Sequence, residues 1–167
     1  MNVVEINNPV EWDSILLSLS PEPSFLQSSA WENCLMEEGK STRAVVVEDH
    51  GVRYAAALLV AHNLLFGWRY GFCPGGPVFG STLDADKMNL ALAALRSYCK
   101  KKNGVFLRVE PAQKFKIAGK KWRHVPDVNP ATTTVLDLAQ PLDVLLSAMH
   151  KKTRYCLRAV EGSGLEI

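Results

Sequence analysis

Residues 42–73 contain three consecutive runs that are typical of β-strands, and this segment constrains the fold more than any other. The run "TRAVVVE" is rich in β-branched residues, "DHG" is a turn signal, and "VRYAAALLVAHNLL" and "WRYGFC" follow as further strands. Closely spaced strands joined by short turns predict an antiparallel meander in the middle of the chain.

Helical patterns lie on both sides of this meander. A short strand, "VVEI", is followed by one helix that begins at Pro9 and a second that Ser28 or Ser29 caps and Gly39 ends. After the meander, "LDADKMNLALAALRSYCKKKNG" has acidic residues at its start and lysines at its end, as a helix dipole favours. "VFLRVEP" is a further strand. This order predicts an α/β (α+β) fold with a mixed β-sheet flanked by helices.

The remaining segments are less regular. In "PGGPVFG" two prolines and three glycines exclude regular structure, so we expect a tight turn, with backbone N–H groups offered to an anion as the alternative. Residues 112–130 are polar and irregular, and we expect Trp122 to pin them to the body. "TTTVLDL" predicts a strand. Residues 141–164 are helical, as one helix or as two that meet near His150, and "LEI" opens another strand.

Size and charge limit the function classes. The 167 residues are 47% hydrophobic, enough for one core or for one domain with part of another. The net charge is +2, so any attraction for phosphates must come from local clusters. The N-terminus does not resemble a signal peptide, and no apolar run approaches the ~18 residues of a membrane span. We therefore expect a cytoplasmic protein without a transmembrane segment. Four isolated cysteines predict buried thiols and no metal site: Cys34, Cys73, Cys99 and Cys156.

The segment "HKKTRYCLRAVEGSGLEI" concentrates positive charge near the end of the sequence. On a helix, Lys151, Arg154 and Arg158 would share one face, with Lys152 and Tyr155 on a neighbouring stripe. A row of cations one turn apart matches a diphosphate or a nucleic-acid backbone, and an aromatic ring among them could stack on a base or sugar. The alternative is a solvated helix surface.

Several segments resemble motifs of the FemABX family of peptidoglycan-bridge aminoacyltransferases. "SFLQSSAWENCLMEEGK" is similar to the family's "FLQS-x-x-W" helix start, "WRYGFCPGGPVFG" to its "Y-x-P-R-G-P-V" turn and "GVFLRVEP" to its "FLRIDP" strand. "TTTVLDL…LLSAMHKKTRYCLRAVEGSGLEI" resembles "T-x-x-LDL…LL-x-x-M-x-x-K-T-RYNIR-A-x-x-x-GV". The sequence departs from these motifs at Gly75, where the family usually has arginine, at Cys156 in place of asparagine, and at Gly162 and Ser163 in place of lysines.

The resemblance implies a function. Members of the family transfer an amino acid from aminoacyl-tRNA to a peptidoglycan precursor, which is lipid II or a UDP-MurNAc-peptide. They have two GNAT-like subdomains with a substrate groove between them. By this resemblance residues 1–140 form the first subdomain, and residues 141–167 supply a linking helix and the start of a truncated second one. Aminoacyl-tRNA is then the co-substrate, no cofactor or metal is implied, and peripheral contact with a membrane is allowed.

The resemblance also suggests which residues face the substrate, although each has a structural alternative. Trp31 lines the groove or packs in the core, and Arg69 and Tyr70 point into the cleft or pack at a strand end. No catalytic residue is implied, and we expect that the chain alone does not turn over. The expected substrate-binding residues are Lys151, Lys152, Arg154, Tyr155, Arg158, Trp31, Arg69 and Tyr70.

Two other functions stay open at this stage. One is a non-catalytic GNAT-like module that binds an anionic ligand or nucleic acid through the basic segment. The other is an N-acetyltransferase, which is disfavoured because no glycine-rich "R/Q-x-x-G-x-G/A" acyl-CoA loop precedes a helix in the sequence.

Overall fold

A computed structural model of the chain describes residues 1–112, 117, 119, 122–126, 128–130 and 134–161. The chain divides into two compact units, Met1–Asn129 and Pro130–Ile167. This division does not test the assignment of residues 1–140 and 141–167 to two subdomains, which stays a prediction.

The first unit contains a six-stranded sheet in the order β1-β2-β3-β4-β6, with β5 paired to β3. All strand pairs are antiparallel except β4 and β6, which are parallel because helix α3 crosses between them. The predicted mixed sheet with a central antiparallel meander is therefore confirmed. The strands are β1 (Asn2–Glu5), β2 (Ser41–Asp49), β3 (Val52–Asn63), β4 (Arg69–Cys73), β5 (Val78–Phe79) and β6 (Gly104–Val109).

Five α-helices are described, three in the first unit and two in the second. Helix α1 starts at Pro9 because the side chain of Asn8 accepts hydrogen bonds from the N–H groups of Val10 and Glu11 at 3.0 Å. In the same way Ser28 caps α2 and Asp84 caps α3. The helices are α1 (Pro9–Leu19), α2 (Ser29–Glu37), α3 (Ala85–Lys101), α4 (Leu142–Ala148) and α5 (Lys151–Glu161).

Both faces of the sheet are buried under helices, because successive side chains of a strand point to opposite faces. On β3, Ala55, Ala57 and Leu59 belong to the core that α3 covers. Ala56 and Leu58 belong to the core that α1 covers. The run of apolar residues in β3 follows from this burial on both sides.

Several local predictions were tested. "PGGPVFG" was wrongly expected to lack regular structure, since Val78–Phe79 form β5. Residues 134–137 lie outside any strand, which contradicts that part of the predicted strand 132–138; residues 132, 133 and 165–167 lie outside the described residues. The break between α4 and α5 near His150 is confirmed, and Trp122 packs against the core under α3 as expected. No helix in the described ranges is long and apolar enough to cross a membrane.

Candidate functional site

Gln27 holds the start of the "FLQS" helix against the glycine-rich turn. It is fully buried, and its Nε2 donates a hydrogen bond to the carbonyl of Pro74 at 2.6 Å. Its Oε1 accepts from the backbone N–H of Leu58 at 2.7 Å and from the thiol of Cys73 at 3.7 Å. Burial raises the pKa of that thiol, so Cys73 stays neutral and serves as a donor. The motif is therefore a scaffold for the turn.

The glycine turn is packed too tightly for side chains. Gly75 has a φ of +61°, and a Cβ there would lie 2.9 Å from Cβ of Ser24 and in collision with its hydroxyl. A Cβ on Gly76 would lie 2.7 Å from Cδ of Gln27. This packing supports a tight structural turn, and it gives a physical reason why glycine occupies position 75 in this chain.

Arg108 and Glu110 form the internal ion pair that the sequence analysis preferred, with 3.6 Å between Nη2 and Oε1. The Arg108 guanidinium lies over the ring of Phe72 and donates to the carbonyl of Pro126. Glu110 accepts from the N–H of Val128 at 2.9 Å and from Asn129 at 2.6 Å. The pair thus ties the segment around residues 126–129 to β6.

Arg69 and Tyr70 start β4, at the end of the strand opposite to the glycine turn. Both line a cavity of about 260 Å³, together with Arg43 from β2 and with Lys101 and Lys102 from the end of α3. The structure therefore brings together two of the predicted residues and three cations that the sequence analysis had not assigned to any site. The lysines had been interpreted as complementing a helix dipole, and no local pattern relates them to Arg43.

Glu5 neutralises part of this charge. Its carboxylate accepts from the hydroxyl of Tyr98 at 2.6 Å and lies 2.9 Å from Nζ of Lys102 and 3.1 Å from Nη1 of Arg43. The Tyr98 hydrogen bond and then Lys102 lower the pKa of Glu5 from 4.5 to about 2. Arg69 and Lys101 have no carboxylate within ion-pair distance in the described part of the chain, so the cavity keeps excess positive charge.

The ring of Tyr70 is the centre of a three-ring stack that crosses the sheet. His62 of β3 stacks on it at 4.9 Å between ring centroids, and Phe106 of β6 stacks on its other face at 4.7 Å. Burial, with a smaller contribution from Lys40, lowers the pKa of His62, so its ring is neutral at pH 7. Strand-end packing therefore accounts for the position of Tyr70.

Trp31 lies in the first turn of α2 and is half-buried. It packs against the core under α1, and Phe25 contacts it edge-to-face at 5.7 Å between centroids. Trp31 is not among the residues that line the cavity near Arg69.

The basic segment of the second unit is helical, as its spacing predicts. His150 precedes α5, and its Nδ1 accepts from the N–H of Lys152 at 3.3 Å, although the sequence had suggested no partner for it. The side chain of Arg154 is half-buried, and its Nη1 donates to the carbonyls of Ser147 at 2.7 Å and Met149 at 3.0 Å. Arg154 therefore joins the end of α4 to α5. The other residues of the predicted basic face are exposed: Lys151, Lys152, Tyr155 and Arg158.

The four cysteines fall into two classes. Cys73 and Cys99 are buried, as expected, whereas Cys34 and Cys156 are exposed, so the prediction of buried thiols was wrong for these two. Each of the exposed pair lies on the outer side of a short helix, where an apolar position had been inferred from the pattern alone.

Comparison with known proteins gives the chain a family. The family model described as "FemAB family" matches residues 17–126. The chain belongs to the FemAB family. The family resemblance that the motifs suggested is thus confirmed, and the Gln27 motif, the glycine turn and the Arg108 strand all lie within the matched residues. Helix α5 lies outside them.

Solved structures share the fold of this FemAB chain. A crystal structure of FemX has a TM-score of 0.55 and 18% sequence identity over 68% of this chain, but this covers only 28% of the FemX chain. A GNAT family acetyltransferase from Staphylococcus aureus (10% identity, 81% of this chain, 100% of that one) has a TM-score of 0.48. A Trypanosoma brucei acetyltransferase (14% identity, 82% and 99%) has one of 0.43. No curated protein matches the sequence.

Proposed function

We propose that this chain is the precursor-binding lobe of a transferase that forms peptidoglycan interpeptide bridges. The observation that carries the proposal is the match of residues 17–126 to the FemAB family. In this proposal an amino acid passes from aminoacyl-tRNA, the co-substrate, to lipid II or a UDP-MurNAc-peptide in the cytoplasm, without a bound cofactor or metal. Both substrates carry phosphate, so the lobe needs exposed cations to hold them.

The exposed side of α5 supplies such cations. Lys151 and Arg158 lie two turns apart, and the positive end of the helix dipole adds to the charge near Lys151. A diphosphate can accept bidentate hydrogen bonds from the Arg158 guanidinium and a point-charge contact from Lys151. The exposed ring of Tyr155 could then stack on the attached base or sugar. Lys152 adds a further positive charge beside this face.

Arg69, Tyr70 and Trp31 belong to the proposal as contacts made by the first unit. Arg69 would act from the cation-lined cavity, with Tyr70 held in place by its ring stack. Trp31 would present the exposed part of its ring from α2.

The proposed reaction is aminolysis of an ester. The amino group of the precursor attacks the ester carbonyl carbon of aminoacyl-tRNA, a C–N bond forms, the C–O bond to the tRNA breaks, and the amine loses a proton. Because the ester is already activated, holding the two substrates in reacting geometry supplies much of the acceleration. We assign no catalytic residue, and the contribution of this chain is to bind and orient the precursor.

Calorimetric titration of the full chain with a UDP-MurNAc-peptide tests the proposal. Arg158→Gln and Lys151→Gln should each weaken binding about ten-fold, the size expected for one charge-assisted contact. Lys87→Gln, at the start of α3, is the matched control and should leave the affinity unchanged. Equal affinities for all four proteins would contradict the proposal. Tight, salt-dependent tRNA binding without any response to the muropeptide would favour a nucleic-acid-binding module instead.

A further inference from the structure

The hairpin between β3 and β4 exposes an apolar tip that the core does not use. Leu65 is 80% exposed, Phe66 95% and Trp68 58%, and Leu64 beside them is also exposed. Four large apolar side chains within five residues are unusual on a protein surface that faces only water. We call residues 64–68 the hairpin tip.

The backbone of the hairpin tip satisfies itself. Leu64 donates its N–H to the carbonyl of Trp68 at 2.7 Å, and Trp68 donates to the carbonyl of Leu65 at 3.4 Å. Phe66 and Gly67 both have positive φ angles, 59° and 75°, which turn the chain back within this short span. A tip with internal hydrogen bonds can enter an apolar layer at low cost, because fewer polar groups lose water without a partner.

Positive charge surrounds the hairpin tip. Arg69 follows it directly, Lys40 precedes β2 at the same end of the sheet, and the end of α3 adds Lys100, Lys101 and Lys102. The cation-lined cavity at Arg69 lies at this end as well. The carboxylates at this end are Glu5, which is occupied by Arg43 and Lys102, and the exposed Glu37 and Glu38 at the end of α2.

We propose that the hairpin tip inserts into the interface of an anionic lipid bilayer while the surrounding cations contact lipid phosphates. Trp, Phe and Leu side chains favour this layer, and each nearby Lys or Arg adds about 1 kcal/mol of attraction to an anionic surface. A second copy of the chain fits less well, because an isologous contact would place the same cations against one another. Vesicles that contain no peptidoglycan precursor test the inference independently of the proposed transferase role.

The experiment is co-sedimentation of the full chain with vesicles of phosphatidylglycerol and phosphatidylcholine, beside pure phosphatidylcholine vesicles. The chain should bind the anionic vesicles at least ten-fold more strongly, and added salt should weaken the binding. The double variant Leu65→Ser/Phe66→Ser should lose at least ten-fold in vesicle affinity. Its matched control, Leu17→Ser/Leu90→Ser, removes two exposed leucines from helices α1 and α3 and should bind like the unaltered chain.

A fluorescence measurement keeps the test independent of folding defects. Vesicle binding should shift the tryptophan emission to shorter wavelength, and Trp68→Phe should remove that shift. Lys100→Gln/Lys101→Gln should weaken binding to anionic vesicles, while Lys87→Gln should not. Equal binding to neutral vesicles, unaltered sedimentation of the Leu65→Ser/Phe66→Ser variant, or a chain dimer that this variant disrupts without any vesicle binding would each overturn the inference.

Discussion

Gln27 completes β3 where the strand changes partners: its Oε1 accepts the backbone N–H of Leu58 at 2.7 Å. Residues Val60–Asn63 of β3 pair with β4, and Ala55 and Ala56 pair with β5. Leu58 lies between these two stretches, where neither strand pairs with it. A side-chain amide therefore takes the place of a strand, and through Pro74 it also fixes the glycine turn that follows β4.

Replacing Gln27 should destabilise the fold strongly. In Gln27→Leu the N–H of Leu58 and the carbonyl of Pro74 lose their partner in a buried site, and each unsatisfied group costs about 1–3 kcal/mol. We expect a loss of about 3 kcal/mol in the free energy of unfolding, measured by urea denaturation. Gln140→Leu, at an exposed position, should change it by less than about 0.5 kcal/mol. Equal effects of the two variants would contradict the scaffold role of Gln27.

Restoring the arginine that the family usually has at position 75 should also destabilise this chain. Gly75→Arg adds a Cβ that collides with Ser24, and its positive φ adds backbone strain. Gly51→Arg is the matched control, because φ is +79° there but no atom lies within 4 Å of the added Cβ. Ser24→Gly should recover part of the stability that Gly75→Arg loses and nothing in the Gly51→Arg background. Absence of this rescue in denaturation experiments would show that Ser24 does not exclude arginine.

Glu5 should make stability depend on pH in the acid range. Its pKa is lowered from 4.5 to about 2 in the folded chain, so the unfolded chain binds the proton more readily. The stabilisation is complete above pH 4.5 and is lost as the pH falls toward 2. Because a third of the side chain is exposed, solvent screening limits the effect to about 1 kcal/mol.

The comparison of Glu5→Gln with the exposed control Glu22→Gln isolates this contribution. The difference in unfolding free energy between Glu5→Gln and the unaltered chain should shrink as the pH falls from 5 to 2.5, within the acid window that the two pKa values define. Glu22→Gln should follow the unaltered chain throughout. A constant difference across this window would mean that Glu5 is not held in its ionised form by Tyr98 and Lys102.

Arg154 and Arg158 should differ in what they support, although both belong to the predicted basic face. Arg154→Gln removes hydrogen bonds to the carbonyls of Ser147 and Met149, so we expect about 1 kcal/mol less stability at the junction of α4 and α5. Arg158→Gln should leave that junction unchanged. Hydrogen exchange of the α4 amides measures the difference, and equal protection in both variants would argue against a linking role for Arg154.

The sequence predicted the elements whose stability is local or strongly patterned. The apolar run of β3, the capped helix α3 and the break at His150 are all visible in composition and spacing. β5 was missed because its two residues pair only through the distant Ala55 and Ala56, inside a stretch rich in proline and glycine. The predicted strand around residue 134 shows the reverse case, since β-branched residues alone do not supply a partner strand.

The candidate site was less accessible to sequence reasoning. Arg69 was identified, but Arg43 and Lys101 join it only because the topology places the ends of β2, β4 and α3 together. Gln27 carries a weak signal, a polar residue within "FLQS" just before a helix, and its buried partners are 31 and 47 residues away. Spacing on α5 revealed a shared face but could not show that Arg154 is bound to backbone carbonyls.

The most direct test of the central claim is a ¹H–¹⁵N spectrum of the full chain during titration with a UDP-MurNAc-peptide. If α5 holds the precursor, the amide signals of Lys151, Lys152, Tyr155 and Arg158 shift with the added ligand, and Arg158→Gln moves the midpoint to about ten-fold higher concentration. If the ligand binds while those signals stay fixed, or does not bind at all, the claim that this basic face receives the cell-wall precursor is contradicted.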